Sequence, residues 1–237
     1  TWVGTRNGLN YICKDSIKTF SIKNGLISNY IRSIAISSRN EVWLGTFDGI
    51  SIIKTNKIEN ITQEDGLVSN AILELFIDKN NNTWVNTVEG ISMIRNNDFI
   101  IVNEAQSNRF KSLYVTPGGK AYLGLNQGYI IIDTNDSYIL KQSPYTKSKD
   151  IQYSDDILYI ATNSGIIIKN LNSNREKTLL TNYKIYSIFL APDKRLWIGT
   201  NHGLFIYENE AIFDYTDSHD GIPSRINKIY QDKKNNI

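Results

Sequence analysis

Two histidines, His202 and His219, and two Asp-Gly pairs, Asp65-Gly66 and Asp220-Gly221, are the residues that first suggest chemistry. Histidine titrates near neutral pH, so beside a carboxylate it could serve as the acid or base of a lyase or hydrolase. Their surroundings argue for a plainer role. Two lone histidines make a poor metal site, and the lone Cys13 excludes an intramolecular disulfide or a multi-thiolate centre. The chain has no Gly-x-Ser-x-Gly elbow, no His-Glu-x-x-His, no Walker A segment and no EF-hand loop. In the Asp-Gly pairs, Asp bonding the local backbone and Gly supplying a positive φ give a turn. No catalytic residue, metal or cofactor is therefore expected. A formal net charge of +2 speaks against a nucleic-acid groove or a polybasic membrane patch, and no apolar run is long enough to span a bilayer.

The conspicuous residues sit inside a repeat. An eight-residue motif begins at Trp2, Trp43, Trp84, Tyr122, Tyr159 and Trp197, with successive spacings of 41, 41, 38, 37 and 38 residues. Its best copies are Trp43-Leu44-Gly45-Thr46-Phe47-Asp48-Gly49-Ile50 and Trp197-Ile198-Gly199-Thr200-Asn201-His202-Gly203-Leu204. A period near 40 with an aromatic residue and turn glycines in each unit points to propeller blades. The motif's structural positions are Trp2, Gly8, Trp43, Gly49, Trp84, Gly90, Gly128, Gly165, Trp197 and Gly203. One Trp per unit suits packing between blades better than a row of ligand platforms.

Each unit divides into four strands. In the second, 31–37 alternates, Ser38-Arg39-Asn40 turns, and 41–46 forms the Trp strand. A three-residue hairpin loop, Phe47-Asp48-Gly49, follows, then strands at 50–54 and 57–62. Strands such as Val42-Trp43-Leu44 are apolar on both faces, as sheets stacked face to face require. The expected fold is an all-β propeller of four-stranded antiparallel blades, taken as one domain over 1–237. Blade cores fall at about 1–22, 31–62, 72–102, 110–142, 149–180 and 185–216. Residues 226–232 could complete the first blade beside Trp2 and close a six-bladed ring; the six units could equally be part of a larger array. The start at Thr1 suggests an excerpt from a longer protein.

Three units carry a second signature, at Asn24-Gly25-Leu26-Ile27-Ser28-Asn29, Asp65-Gly66-Leu67-Val68-Ser69-Asn70 and Asp220-Gly221-Ile222-Pro223-Ser224-Arg225. Together with the Trp-x-Gly-Thr-x-x-Gly-Leu element, it resembles the two-component regulator propeller repeat, across essentially the whole chain. The resemblance implies a periplasmic or extracellular sensor of a bacterial signalling protein, one that recognises a glycan or another small ligand and dimerises through its full-length receptor. The units at Tyr122 and Tyr159 lack the second signature and the Trp; they are diverged blades or places reshaped for function.

A ligand would meet the loops at the end of the blades that carries the post-Trp hairpins. Those loops gather Arg6, Asn7, Asn29, Asp48, Asn70, Glu89, Arg109, Gln127, Lys149, Tyr183, His202 and Arg225. The candidates singled out are Arg109, Lys149, Tyr183, His202 and Arg225. Two alternatives to a sensor stay open: an enzyme with its site over the propeller channel, and a protein-interaction propeller.

Overall fold

The computed structural model describes residues 1–102, 110–116, 118–125, 128–133, 137–139, 148–232 and 234–237. They fall into two compact units, Thr1–Arg109 and Phe110–Ile237.

The first unit holds three antiparallel sheets. Sheet 1 has three strands, β1 (Trp2–Thr5), β2 (Gly8–Cys13) and β3 (Ser16–Phe20). Sheet 2 is β4 (Ser33–Ile36), β5 (Val42–Gly45), β6 (Ile50–Ile53) and β7 (Ile58–Ile61). Sheet 3 is β8 (Ile72–Ile77), β9 (Thr83–Thr87), β10 (Ile91–Arg95) and β11 (Asp98–Val102).

The second unit repeats the plan. Sheet 4 is β12 (Phe110–Val115), β13 (Lys120–Leu125), β14 (Tyr129–Asp133) and β15 (Ser137–Ile139). Sheet 5 is β16 (Asp150–Ser154), β17 (Ile157–Thr162), β18 (Gly165–Asn170) and β19 (Glu176–Leu179). Sheet 6 is β20 (Ile185–Leu190), β21 (Leu196–Thr200), β22 (Gly203–Glu208) and β23 (Ala211–Asp214).

Apolar layers between successive sheets form the core. Ile50, Ile52, Ile72, Leu75 and Val85 fill one such layer, with Trp43 packed against it. Ile166, Ile185, Ile188 and Ile198 fill another. Trp84 is fully buried and Trp197 is 8% exposed, while Trp2 and Trp43 are partly buried. The two units without Trp keep an aromatic ring at that position. Tyr122 is 1% exposed and stacks on Tyr153 at 4.7 Å, and Tyr159 packs between sheets 5 and 6. Burial raises the pKa of both phenols.

The glycine of Trp-x-Gly is a contact point between sheets. A Cβ at Gly45 would stand 2.7 Å from Ile72 Cγ2, and one at Gly4 or Gly199 would meet Ile31 at 2.7 Å or Ile226 at 2.8 Å. The next residue, Thr, has two tasks. Its carbonyl accepts the N–H of that same isoleucine, from Ile31 to Thr5, Ile72 to Thr46 and Ile226 to Thr200. Its hydroxyl ties the hairpin: Thr46 Oγ1 donates to Gly49 O at 2.8 Å and accepts from Asp48 N at 3.0 Å. Thr5, Thr87, Thr162 and Thr200 do the same in their hairpins. The loop between Thr and Gly therefore has two residues, one fewer than expected; the glycine opens the next strand in the β1–β2, β17–β18 and β21–β22 hairpins and stands just before it in the β5–β6 and β9–β10 hairpins. Gly49 takes φ 131° there, a region that favours glycine.

Residues 226–232 form no strand. Ile226 N donates to Thr200 O and Ile229 N to Ser187 Oγ at 3.2 Å, so this segment docks on sheet 6 as the first strand of sheet 3 docks on sheet 2. The turn after it, Asp232 to Asn236, copies the turn Asp78 to Asn82 bond for bond.

Candidate functional site

The second signature resolves into architecture. Asp65 Oδ2 accepts from Thr62 N at 2.8 Å, and Asn70 Oδ1 accepts from Gln63 N. Asn24 and Asn29 play the same parts for Ser21 and Ile22. Leu26 and Leu67 are each 3% exposed, plugging the loop into the core. Asn29 and Asn70, grouped above with the recognition loops, thus spend their side-chain oxygens bracing their own loops.

What those loops present in the first unit is a ladder of rings and guanidinium groups. Tyr30, in the connection into sheet 2, stacks on Phe47 of the β5–β6 hairpin, with centroids 5.8 Å apart and planes at 21°. The Arg6 guanidinium lies 5.6 Å from the Tyr30 ring and that of Arg32 lies 4.4 Å from the Phe47 ring. Phe47 is 43% exposed and both arginines are exposed. Cation–π contact holds the guanidinium planes against the rings while leaving their N–H donors to solvent. Such a surface can stack on an apolar ligand face and bind carboxylate, sulfate or hydroxyl groups at its edges.

The second unit has a smaller counterpart. Tyr183 meets His202 edge-on at 5.6 Å and Phe205 at 5.0 Å, and the Arg225 guanidinium lies 4.8 Å from the Tyr186 ring. Asn201 accepts from Lys184 N at 2.8 Å, joining the β21–β22 hairpin to the loop before β20.

Two stretches of the sequence, 25–48 and 179–202, match the model of a family described as Two component regulator propeller. The chain carries the two-component regulator propeller repeat. Both matched stretches run through a Trp strand into its hairpin, and they include Tyr30, Arg32 and Phe47 in one unit and Tyr183, Tyr186 and His202 in the other. No curated protein matches the chain.

Among solved structures, the extracellular domain assigned to a one component system, BT4673 of B. thetaiotaomicron, aligns with a TM-score of 0.67 at 17% identity. That alignment covers 99% of this chain and 34% of that one. The extracellular domain assigned to the hybrid two component system BT3049 of the same organism aligns at 0.64 and 18% identity, covering 83% and 31%. Virginiamycin B lyase from Staphylococcus aureus aligns at 0.58 and 17% identity, covering 78% and 69%. The shared fold is the all-β propeller expected from the repeat. This chain spans about a third of the length of the two extracellular domains.

Of the residues singled out in the sequence, Tyr183 and His202 come together, and Arg225 sits over Tyr186. Lys149 is partly buried, its backbone N–H bonded to Ala161 O. Arg109 lies outside the described residues. Among the described residues no group of three His, Cys, Asp or Glu side chains could hold a metal.

The unread signal was Tyr30, Arg32 and Phe47. They lie in variable positions of the repeat, outside its recurring aromatic residue and its turn Gly. A second unread set is polar: Ser33, Asp150 and Ser187, each opposite the small residue of the Trp strand. Ser33 Oγ accepts from Leu75 N at 2.9 Å, Asp150 Oδ2 from Ile188 N at 3.1 Å and Ser187 Oγ from Ile229 N. Each joins its strand to the next structural repeat. Asp150 also accepts from Ser187 Oγ and Ile151 N. Burial raises its pKa, opposed by Lys228 at 3.9 Å and by these hydrogen bonds.

Proposed function

We propose that this chain is the ligand-recognition part of an extracytoplasmic receptor in a bacterial two-component-type signalling system, acting by binding without catalysis. The observation that carries the proposal is the Arg6–Tyr30–Phe47–Arg32 ladder, solvent-facing and built from loops on a rigid sheet scaffold. The regulator propeller repeats and the shared fold with extracellular domains assigned to signalling systems support it. Two cations beside two stacked rings suit an oligosaccharide bearing carboxylate or sulfate groups, with the rings meeting its apolar faces.

Calorimetry of the purified chain against acidic and neutral oligosaccharides tests this. Binding of an acidic oligosaccharide, weakened by added salt and by Arg32→Ala, is the expected result. A folded chain that binds none of them would remove direct glycan sensing.

A further inference from the structure

We infer a second binding site, for a phosphate group, on the loops of the second unit that surround the β21–β22 hairpin. It is independent of the Arg6–Tyr30–Phe47–Arg32 ladder, which belongs to the first unit.

The hairpin residues Asn201 and His202 are the hub of the site. On one side the Asn201 side chain accepts from Lys184 N at 2.8 Å, and the Asn201 backbone N–H donates to Lys184 O at 3.1 Å. On the other, Ile226 N donates to Thr200 O at 3.0 Å, which brings Arg225 to the foot of the hairpin. Lys184, His202 and Arg225 are all exposed. Three separate segments thus each bring a nitrogen donor to one end of sheet 6. His202 carries a ring N–H in either tautomer.

Arg225 is held ready for a ligand. Its guanidinium lies 4.8 Å from the Tyr186 ring, and its Nε donates to Asn227 Oδ1 at 2.9 Å. With the ring face and Nε so engaged, the two Nη groups form the fork that meets phosphate oxygens.

Charge and ring geometry select the ligand class. Residues 181–186, 201–202 and 222–227 include no Asp or Glu, so no carboxylate in these segments offsets the three donors. The rings do not offer themselves as Phe47 does: Tyr183 is in edge contact with His202 and Phe205, and Tyr186 carries the guanidinium. A small anion suits this set better than a ligand with an apolar face. A phosphate group carries up to about two negative charges near neutral pH. Its oxygens point in several directions and can take bonds from Arg, Lys and imidazole together.

The test is an NMR titration of the ¹⁵N-labelled chain with sodium phosphate and with glycerol 3-phosphate, beside sodium chloride and sodium acetate at matched ionic strength. The Arg225 Nε–H resonance and the amides of Asn201 and His202 should move with phosphate and stay in place with chloride. Tighter binding of the inorganic ion or of the ester then tells a free anion from a phosphate ester. Arg225→Lys keeps the charge, removes the fork and should weaken phosphate binding about threefold or more. Lys184→Ala should weaken it as well, whereas Arg32→Ala should leave it unchanged. These side chains are exposed, and the rest of the spectrum reports that each variant keeps its fold. The inference is overturned if chloride gives the same shifts, if acetate binds as tightly as phosphate, or if millimolar phosphate moves none of these resonances. Undiminished binding in Arg225→Lys overturns it too, and loss of binding in Arg32→Ala would assign the anion to the ladder instead.

Discussion

Trp84 and Asp78 form a buried pair in which the indole N–H donates to a carboxylate that also accepts from Asn80 N, Asn82 N and the Asn82 side-chain amide. One side chain thus fixes both a turn and the ring that follows it. Asp78→Ala would strand four donors, two of them on the buried Asn82 and one on Trp84. A loss of about 2–4 kcal/mol is expected, larger than for the usual single hydrogen bond. Urea unfolding measures it, and a loss below about 1 kcal/mol would show that solvent takes over the donors.

The contact between Gly45 and Ile72 predicts intolerance of even one methyl group. Gly45→Ala places a Cβ 2.7 Å from Ile72 Cγ2, and overpacking of this kind costs about 1–3 kcal/mol. Combining it with Ile72→Ala should cost less than the two changes added together. Strict additivity in a double-mutant cycle would mean that the backbone shifts to absorb the methyl.

Thr46→Val keeps shape and removes the hydroxyl that bridges Asp48 N and Gly49 O. Thr46 is fully buried, so a destabilisation of about 1–2 kcal/mol is expected. Thermal unfolding of the variant checks it; a midpoint equal to the parent's would mean that Thr46 serves through its carbonyl alone.

Asp150 predicts a pH signature. Its pKa is raised in the folded chain, so between the unfolded value and the folded one the native state holds more protons. This group's contribution is therefore fully present below the unfolded pKa and is lost as pH rises through the folded pKa. Asp150→Asn should flatten that part of the stability–pH curve, and the variant's stability relative to the parent should improve as pH climbs from 4 towards 7. Denaturant midpoints across the range read it; parallel curves would place the Asp150 pKa at its ordinary value.

Phe47→Ala separates recognition from architecture at the ladder. Phe47 is 43% exposed, so stability should change by about 1 kcal/mol or less, while affinity for an acidic oligosaccharide should fall by about fivefold or more. Calorimetry beside thermal unfolding distinguishes the two, and an unchanged affinity would take Phe47 out of the site.

The repeat made the sheets legible because burial between stacked sheets imposes the same apolar strands, the same aromatic position and the same turn glycine in every unit. Even the units at Tyr122 and Tyr159 follow it, since a tyrosine fills the space of the tryptophan. What escaped was of two kinds. The task of Gly45 depends on a partner, Ile72, that lies 27 positions away in the next unit, and spacing within one motif says nothing of it. Tyr30, Arg32 and Phe47 escaped because neither sequence spacing nor periodicity shows that three residues from a connection, a strand entry and a hairpin stack together. The expected three-residue loop failed on one hydroxyl, that of Thr46, which closes the hairpin a residue earlier.

The hairpin threonines, Thr5, Thr46, Thr87, Thr162 and Thr200, give the chain an uneven kind of cooperativity. Thr46 closes the β5–β6 hairpin through its hydroxyl and holds the entry of sheet 3 through its carbonyl. A lesion there is felt in two sheets at once, whereas a lesion in an outer strand such as β7 stays local. Unfolding within a unit should therefore advance from hairpin to neighbouring sheet like a zipper, and hydrogen exchange should find the amides of Ile31, Ile72 and Ile226 opening in step with the hairpin before them.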